Sequence, residues 1–209
     1  MKLLVATRSA GKQREVRRVL EAAGHEVVFP DEAGVLETPL EDGLELEGSF
    51  EGNARRKAEY FARRTGLPTV ADDSGLEVIS LGGDPGVRSK RFANAAGSAA
   101  EVDAANNAEL LRRLRGAEPR RRRARYRCVL VYLPTPDAVP RVFEGTCGGE
   151  ILTEARGSGG FGYDPLFLSD DLGKTFGEAR AEEKDRVSHR GRALASLAAA
   201  LSPPGPVSA

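Results

Sequence analysis

Two adjacent carboxylates, Asp72 and Asp73, follow the apolar run Thr69-Val70-Ala71 and precede Ser74-Gly75. Acids at a strand's end are costly to bury unless something compensates them, and a divalent metal is the usual partner when acids come in pairs beside a loop. Asp-Asp-Ser-Gly is also ordinary turn chemistry, so the stretch by itself reads as a strand ending at Ala71 and then a turn. Other residues suited to phosphate or acid–base work lie elsewhere: Lys12, Lys57, Lys184, the pair His189-Arg190, and the acids Glu41, Asp42, Glu45 and Glu47. Those acids read either as solvated surface or as including one that shares a metal with Asp73, and periodicity does not choose among them.

The elements that must carry these residues follow from the patterning. Leu3 to Ala6 is a continuous apolar run, as in a strand buried on both faces. Thr7-Arg8-Ser9-Ala10-Gly11-Lys12 is a loop, and Val16, Val19, Leu20 and Ala23 then recur at helical spacing up to a stop at Gly24. Strand, small-residue loop and helix together present helix-end N–H groups to a phosphate. A Walker loop would need glycine at 6 and Ser or Thr at 13, where this chain has Ala6 and Gln13. His25 to Phe29 is a second strand, with His25 structural, and the acidic segment 31–48 reads as loop. Ser49 is an N-cap for a helix with Phe50, Ala54, Ala58 and Phe61 on one face. Gly82 to Val87 forms tight turns, and Glu101 to Arg113 is an amphipathic helix resting on Val102, Ala105, Leu110 and Leu111. Tyr126–Leu133 is a strong strand, paired as a hairpin with Val142–Gly145, followed by a glycine-broken strand to Ile151. Gly157 to Pro165 is a flexible loop in which glycines flank Phe161, so a planar ring can approach the backbone closely. Leu166–Leu168 resumes a strand. A last helix runs from Ser188 to about Leu201; cations in its first turn, His189 and Arg190, oppose the macrodipole and so point to another use. Residues 202–209, with three prolines, read as a disordered tail.

Bulk properties exclude several classes. With 209 residues, 40% hydrophobic and 30% charged, the chain has the profile of a soluble globular protein, and a net charge of zero argues against a global nucleic-acid or membrane field. The start has too short an apolar core for a signal peptide, and no run reaches the ~18 residues of a membrane helix, which places the protein in the cytoplasm. Cys128 and Cys147 lack zinc spacing and read as buried free thiols. Charge is uneven: eight acids and no bases between Asp31 and Glu51, nine arginines between Arg112 and Arg127. The Arg120–Arg125 run has no interleaved aromatics before Tyr126, so a charged loop feeding a strand accounts for it better than a nucleic-acid-binding arm.

Six blocks occur in a fixed order. They are Thr7-x-Ser9-x-x-Lys12, Ser49-Phe50-x-x-Asn53-Ala54-x-x-Lys57-Ala58, Ala71-Asp72-Asp73-Ser74-Gly75-Leu76, Gly82-Gly83-x-Pro85-Gly86, Gly159-Gly160-Phe161-Gly162-Tyr163-Asp164-Pro165 and Glu183-Lys184-x-x-x-Ser188-His189-Arg190. From Leu3 to about Leu201 the chain resembles the inosine triphosphate pyrophosphatase family. The resemblance implies an α/β fold, an elongated mixed sheet flanked by helices, with two lobes and a central cleft formed by residues 1–201 as one domain. It also implies magnesium-dependent hydrolysis of ITP, dITP and XTP to monophosphate and pyrophosphate, by a homodimer. Asp73 matches the family's general base and metal ligand, and Glu45 its second metal acid, although Glu47-Gly48-Ser49-Phe50 departs from the usual pattern and leaves Glu41 or Glu47 open. The loop Thr7, Arg8, Ser9, Ala10, Gly11 and Lys12, with Lys57, Ser74 and Lys184, matches groups around the triphosphate and sugar. Phe161 matches the residue that stacks on the base, beside Gly162, Tyr163 and Asp164, and His189 and Arg190 match the pair that reads the purine's 6-oxo edge. Ser9 replaces the usual asparagine, so one phosphate contact is expected to be weaker. Rival readings are a pyrophosphatase for other nucleotides, a nucleotide-binding module without catalysis, and a nucleic-acid binder using the arginine run.

Overall fold

The computed structural model describes residues 1–202; the proposed tail lies outside them apart from Ser202. Six strands form one mixed sheet in the order β2-β1-β3-β4-β5-β6. β1 (Lys2–Val5) runs parallel to both β2 (Glu26–Val28) and β3 (Thr69–Val78). β4 (Arg123–Leu133), β5 (Arg141–Ile151) and β6 (Phe167–Ser169) continue antiparallel from β3. Five helices flank it: α1 (Ala10–Ala22), α2 (Phe50–Thr65), α3 (Ala99–Arg113), α4 (Ala181–Val187) and α5 (His189–Leu201). No helix among the described residues is long and apolar enough to cross a membrane.

Alternation along the strands divides the core between the two faces. On one face Val70 of β3 and Cys128 and Leu130 of β4 pack with Val16 and Leu20 of α1 and Ala193, Leu194 and Leu197 of α5. On the other, Ala71, Val131 and Leu133 pack with Ala54, Ala58 and Phe61 of α2. A further cluster joins Leu76, Val78 and Tyr126 to Leu110 and Leu114 below α3 and to Phe167 and Phe176. The helix starts expected at Ser49 and Ser188 are capped: the Ser49 hydroxyl accepts from Gly52 N–H and Ser188 from Gly191 N–H, while α2 stops at Gly66 with φ +66°.

Several expectations need correction. β3 does not end at Ala71 but continues through both carboxylates to Val78, because Asp72, Asp73, Ser74 and Gly75 each have a register partner on β4: Leu130, Val129, Cys128 and Arg127. Pairing with a long central strand overrides local turn preference. The acidic segment contains a 3₁₀ turn, Pro39–Glu45, and α3 begins at Ala99, where Ser98 and Glu101 complete a capping box. β5 is unbroken from Arg141 to Ile151; Gly149 is required there, since a Cβ would stand 2.3 Å from Leu168 O.

The arginine run is a turn and a strand, not a loop. Pro119–Arg122 is 3₁₀, and Arg123 and Arg125 already belong to β4. Buried Arg122 donates to the carbonyls of Ile151, Leu114 and Leu152 at 2.6–2.9 Å. Arg123, Arg125 and Arg127 pair with Asp170, Glu77 and Glu144. Most of this charge is spent inside the fold. Cys128 and Cys147 are buried free thiols, as expected.

Candidate active site

The site lies on one edge of β3. β1 pairs with that edge only at Thr69 and Val70. From Gly75 onward the 3₁₀ turn Gly86–Arg91 covers it: a Cβ on Gly75 would stand 2.3 Å from Gly86 O, and Leu76 N–H donates to Ser89 Oγ at 2.9 Å. Asp72, Asp73 and Ser74 occupy the interval between, and strand alternation sends the two carboxylates to opposite faces.

On the α2 face, Asn53 and Lys57 interrupt that helix's apolar stripe and are buried with it. Asn53 Nδ2 donates to Asp73 Oδ2 at 2.8 Å. Lys57 Nζ donates to Glu45 Oε1 and to Asp72 O, both at 2.6 Å, and stands 3.9 Å from Asp73 Oδ1. Glu45 is therefore the acid of the 31–48 segment that shares a partner with Asp73. Glu41 is bound instead to Arg8, and Glu47 to Arg56. Burial raises the Asp73 carboxyl above its ordinary range, and Lys57 and Lys12 only partly offset it. Burial also pushes Glu45 upward, but Lys57 and Lys12 overcome this and bring it to about 2. Lys90 of the Gly86–Arg91 turn also helps hold Glu45 ionised.

The α1/α5 face carries a continuous chain of alternating charges. Lys12 reaches Asp72 Oδ2 at 2.9 Å, and Arg190 lies 3.3 Å from the same oxygen. Arg190 also donates to Ser74 Oγ at 2.7 Å and to Glu15. Glu15 accepts from Lys184 at 2.7 Å, and Lys184 donates to Asp164 at 2.5 Å. Three cations balance three acids, so each buried charge has a partner. Burial opposes ionisation of Glu15, but Arg190 and Lys184 prevail and hold its pKa at about 2.

Phe161 closes this chain from above. Its ring lies against Gly11, where a Cβ would stand 2.5 Å from Cδ1, and 4.9 Å from Lys184 Nζ. This brings the 157–165 loop against the start of α1; the loop expected over 7–12 ends at Ser9, and Ala10, Gly11 and Lys12 already form the first turn of the helix. Asp164 accepts from Phe161 N–H at 2.8 Å, and Tyr163 donates its hydroxyl proton to Ser89 O at 2.8 Å. Both side chains are buried and tie down the loop. Arg8 faces away from this cluster: it binds Glu41 through two nitrogens, and also Asp31 and Val35 O. Ser9 N–H donates to Thr7 Oγ1, and the Ser9 side chain makes no capping bond, so the amides of Ala10 and Gly11 at the start of α1 are not capped by a side chain.

A scan against family models matches residues 3–200 to the Ham1 family. A dITP/XTP pyrophosphatase of Syntrophobacter fumaroxidans is 48% identical over 195 residues, spanning 93% of this chain and 79% of that protein. The chain belongs to the Ham1 family. Among solved structures, a HAM1 protein from Coxiella burnetii superposes with a TM-score of 0.82 at 33% identity, covering 96% of this chain and 98% of that one. A nucleoside-triphosphatase / dITP/XTP pyrophosphatase from Mycobacterium abscessus gives 0.70 at 43% identity, with coverage of 94% and 98%. The mixed sheet with flanking helices is thus the Ham1 fold.

Sequence reasoning missed Glu15 and the site role of Asp72. Helical spacing held a signal for Glu15: it lies three residues after Lys12 and four before Val19, on the apolar side of α1. His189 is neutral in this setting. Its ring stacks on Tyr126 at 4.6 Å, Nδ1 has no partner, and burial followed by Arg190 depresses its pKa well below 6.5. Burial lowers His25 as well. Below pH ~6.5 the unfolded chain therefore binds more protons at these sites than the fold does, and their neutral burial costs stability as the pH falls. We expect His189→Asn to flatten the decline in Tm between pH 7 and 5 relative to the wild type; parallel declines would refute this.

Proposed function

We propose that this Ham1-family protein hydrolyses non-standard purine nucleoside triphosphates, dITP and XTP among them, to monophosphate and pyrophosphate. The observation that carries the reading is the meeting, at one strand edge, of a raised carboxyl beside Lys57 with the buried Arg190, whose guanidinium lies 5.7 Å from the Phe161 ring centroid. The relatives' shared name as dITP/XTP pyrophosphatases supports the substrate class.

The triphosphate lies against residues 7–12, where the first amides of α1 and the dipole favour an anion. Lys12 and Lys57 neutralise phosphate charge, and each exchanges a carboxylate contact for a phosphate one. Asp73 takes the proton of the water that attacks the α-phosphorus. A carboxyl pushed upward by burial is a better base than an exposed one, and Asn53 fixes its orientation. Glu45 and Asp73 also fit a hard cation. They offer oxygen donors alone, on two carboxylates that share Lys57, with Arg91 4.0 Å from Glu45 Oε2. Among the described residues no three acidic, His or Cys side chains form a cage. Two carboxylates completed by substrate phosphates suit magnesium, which when bound supplies charge neutralisation for the departing pyrophosphate.

Base selection follows from hydrogen-bond sense. Arg190 presents only donors, four of its five N–H groups being taken up by Glu15, Asp72 and Ser74. The remaining Nη1–H satisfies a 6-oxo acceptor and opposes adenine's amino group. A donor facing a donor in a buried site discriminates by ~1–3 kcal/mol, roughly 5- to 150-fold. In a pyrophosphate-release assay, kcat/KM for ITP and XTP should exceed that for ATP by that factor or more, and Arg190→Ala should erode the ratio more than it lowers kcat on ITP. Equal rates on ITP and ATP in the wild type would overturn the reading.

A further inference from the structure

The loop that carries Phe161 is glycine-rich, with Gly157, Gly160 and Gly162 all at positive φ. Such a backbone loses much entropy on ordering and needs external ties to hold one conformation. One turn of α3 supplies them. Asp103 Oδ2 accepts from Gly162 N–H at 2.7 Å, and Asn107, four residues on, donates from Nδ2 to Gly162 O at 2.9 Å. Both backbone groups of the residue next to Phe161 are thereby held. Between them on the same helix, buried Asn106 binds the other wall: it accepts from Ala93 N–H at 2.8 Å and donates to Lys90 O at 3.1 Å and Ser89 O at 3.3 Å. Ser89 O also receives the Tyr163 hydroxyl. One row of polar side chains on α3 thus registers the aromatic loop against the turn that covers the edge of β3. Apolar packing of this helix falls to Leu110 and Leu111 and, beyond its end, Leu114.

We propose that Asp103 and Asn107 are positioning residues that set Phe161 on its seat at Gly11 and so act on nucleobase binding without touching the nucleotide. The proposal rests on the functional reading above for its kinetic consequences, but not for its structural ones.

The structural arm uses no substrate. The chain contains no tryptophan, so Phe161→Trp places a single fluorophore in the loop. Adding Asp103→Ala or Asn107→Ala to that variant should raise its acrylamide quenching constant at least ~2-fold as the ring leaves its seat. Asp103→Asn, which keeps an acceptor oxygen, should restore shielding. Unchanged quenching in both alanine variants would overturn the proposal. In the kinetic arm, Asp103→Ala should raise KM for XTP about tenfold with kcat within about twofold of the wild type. In a Phe161→Ala background the same change should add little, because its effect passes through the ring. Fully additive losses would also overturn the proposal. A wild type inactive on XTP would remove the functional reading, and the quenching arm would still decide the clamp.

Discussion

Replacing Asp73 by asparagine should lower kcat on ITP by at least ~10² while KM stays within about threefold. The amide has the carboxyl's shape, and its oxygen can still accept from Asn53, which now donates to Asp73 Oδ2 at 2.8 Å. What is lost is the site that takes the proton, and one of the two acids that share Lys57. If the residue mattered only as a metal ligand, raising magnesium would recover most of kcat; we expect no such recovery. The same substitution should raise Tm. The ionised Asp73 is disfavoured by burial, so its folded pKa lies above the unfolded value and its charge costs stability at neutral pH. A neutral amide removes that cost. Loss of activity with gain of stability marks a group kept for chemistry. A kcat loss below tenfold would refute the assignment.

Glu15→Gln should be the most damaging single change to stability. Among the described residues Glu15 is the only acid that joins Arg190 to Lys184 in the buried charge chain, with Lys184 Nζ 2.7 Å away. Glutamine keeps the volume but turns an N–H₂ group toward one of two buried cations. Breaking a buried pair in this way costs about 3–5 kcal/mol, or roughly 10 °C in Tm for a chain of this size. Glu32, which pairs with Arg17 at the surface, provides the control: Glu32→Gln should move Tm by only a few degrees. The pH dependence has a definite sign. Because the folded pKa of Glu15, about 2, lies below its unfolded value, its contribution is complete above pH ~5 and disappears as the pH falls towards 2. A loss of under about 2 °C at pH 7 would show that the chain of charges is not a unit.

How far the sequence could be read depended on whether the controlling interaction was local. Ser49 and Ser188 set helix starts by bonds within three residues, and those starts fell where expected. The path of β3 through Asp72-Asp73-Ser74-Gly75 was not legible, because local turn preference is outweighed by pairing with β4 more than 50 residues later. Glu45 could be named from motif spacing but separated from Glu41 and Glu47 only in space, where each of the three meets a different cation. Arg8 sits in the phosphate loop by sequence, yet its guanidinium serves the acidic segment. Glu15 resembles any charged residue of an amphipathic helix until α5 and α4 bring Arg190 and Lys184 onto it. Asp103 and Asn107 gave no signal at all, since a side chain that holds a distant backbone has no pattern of its own.

The central claim is that the cluster on the β3 edge directs water to the α-phosphorus of an oxo-purine triphosphate. Phosphorus NMR of wild-type protein turning over ITP or XTP with magnesium tests it most directly. We predict that monophosphate and pyrophosphate appear together from the first time point. Nucleoside diphosphate with orthophosphate as first products, or no turnover of either nucleotide, would contradict it.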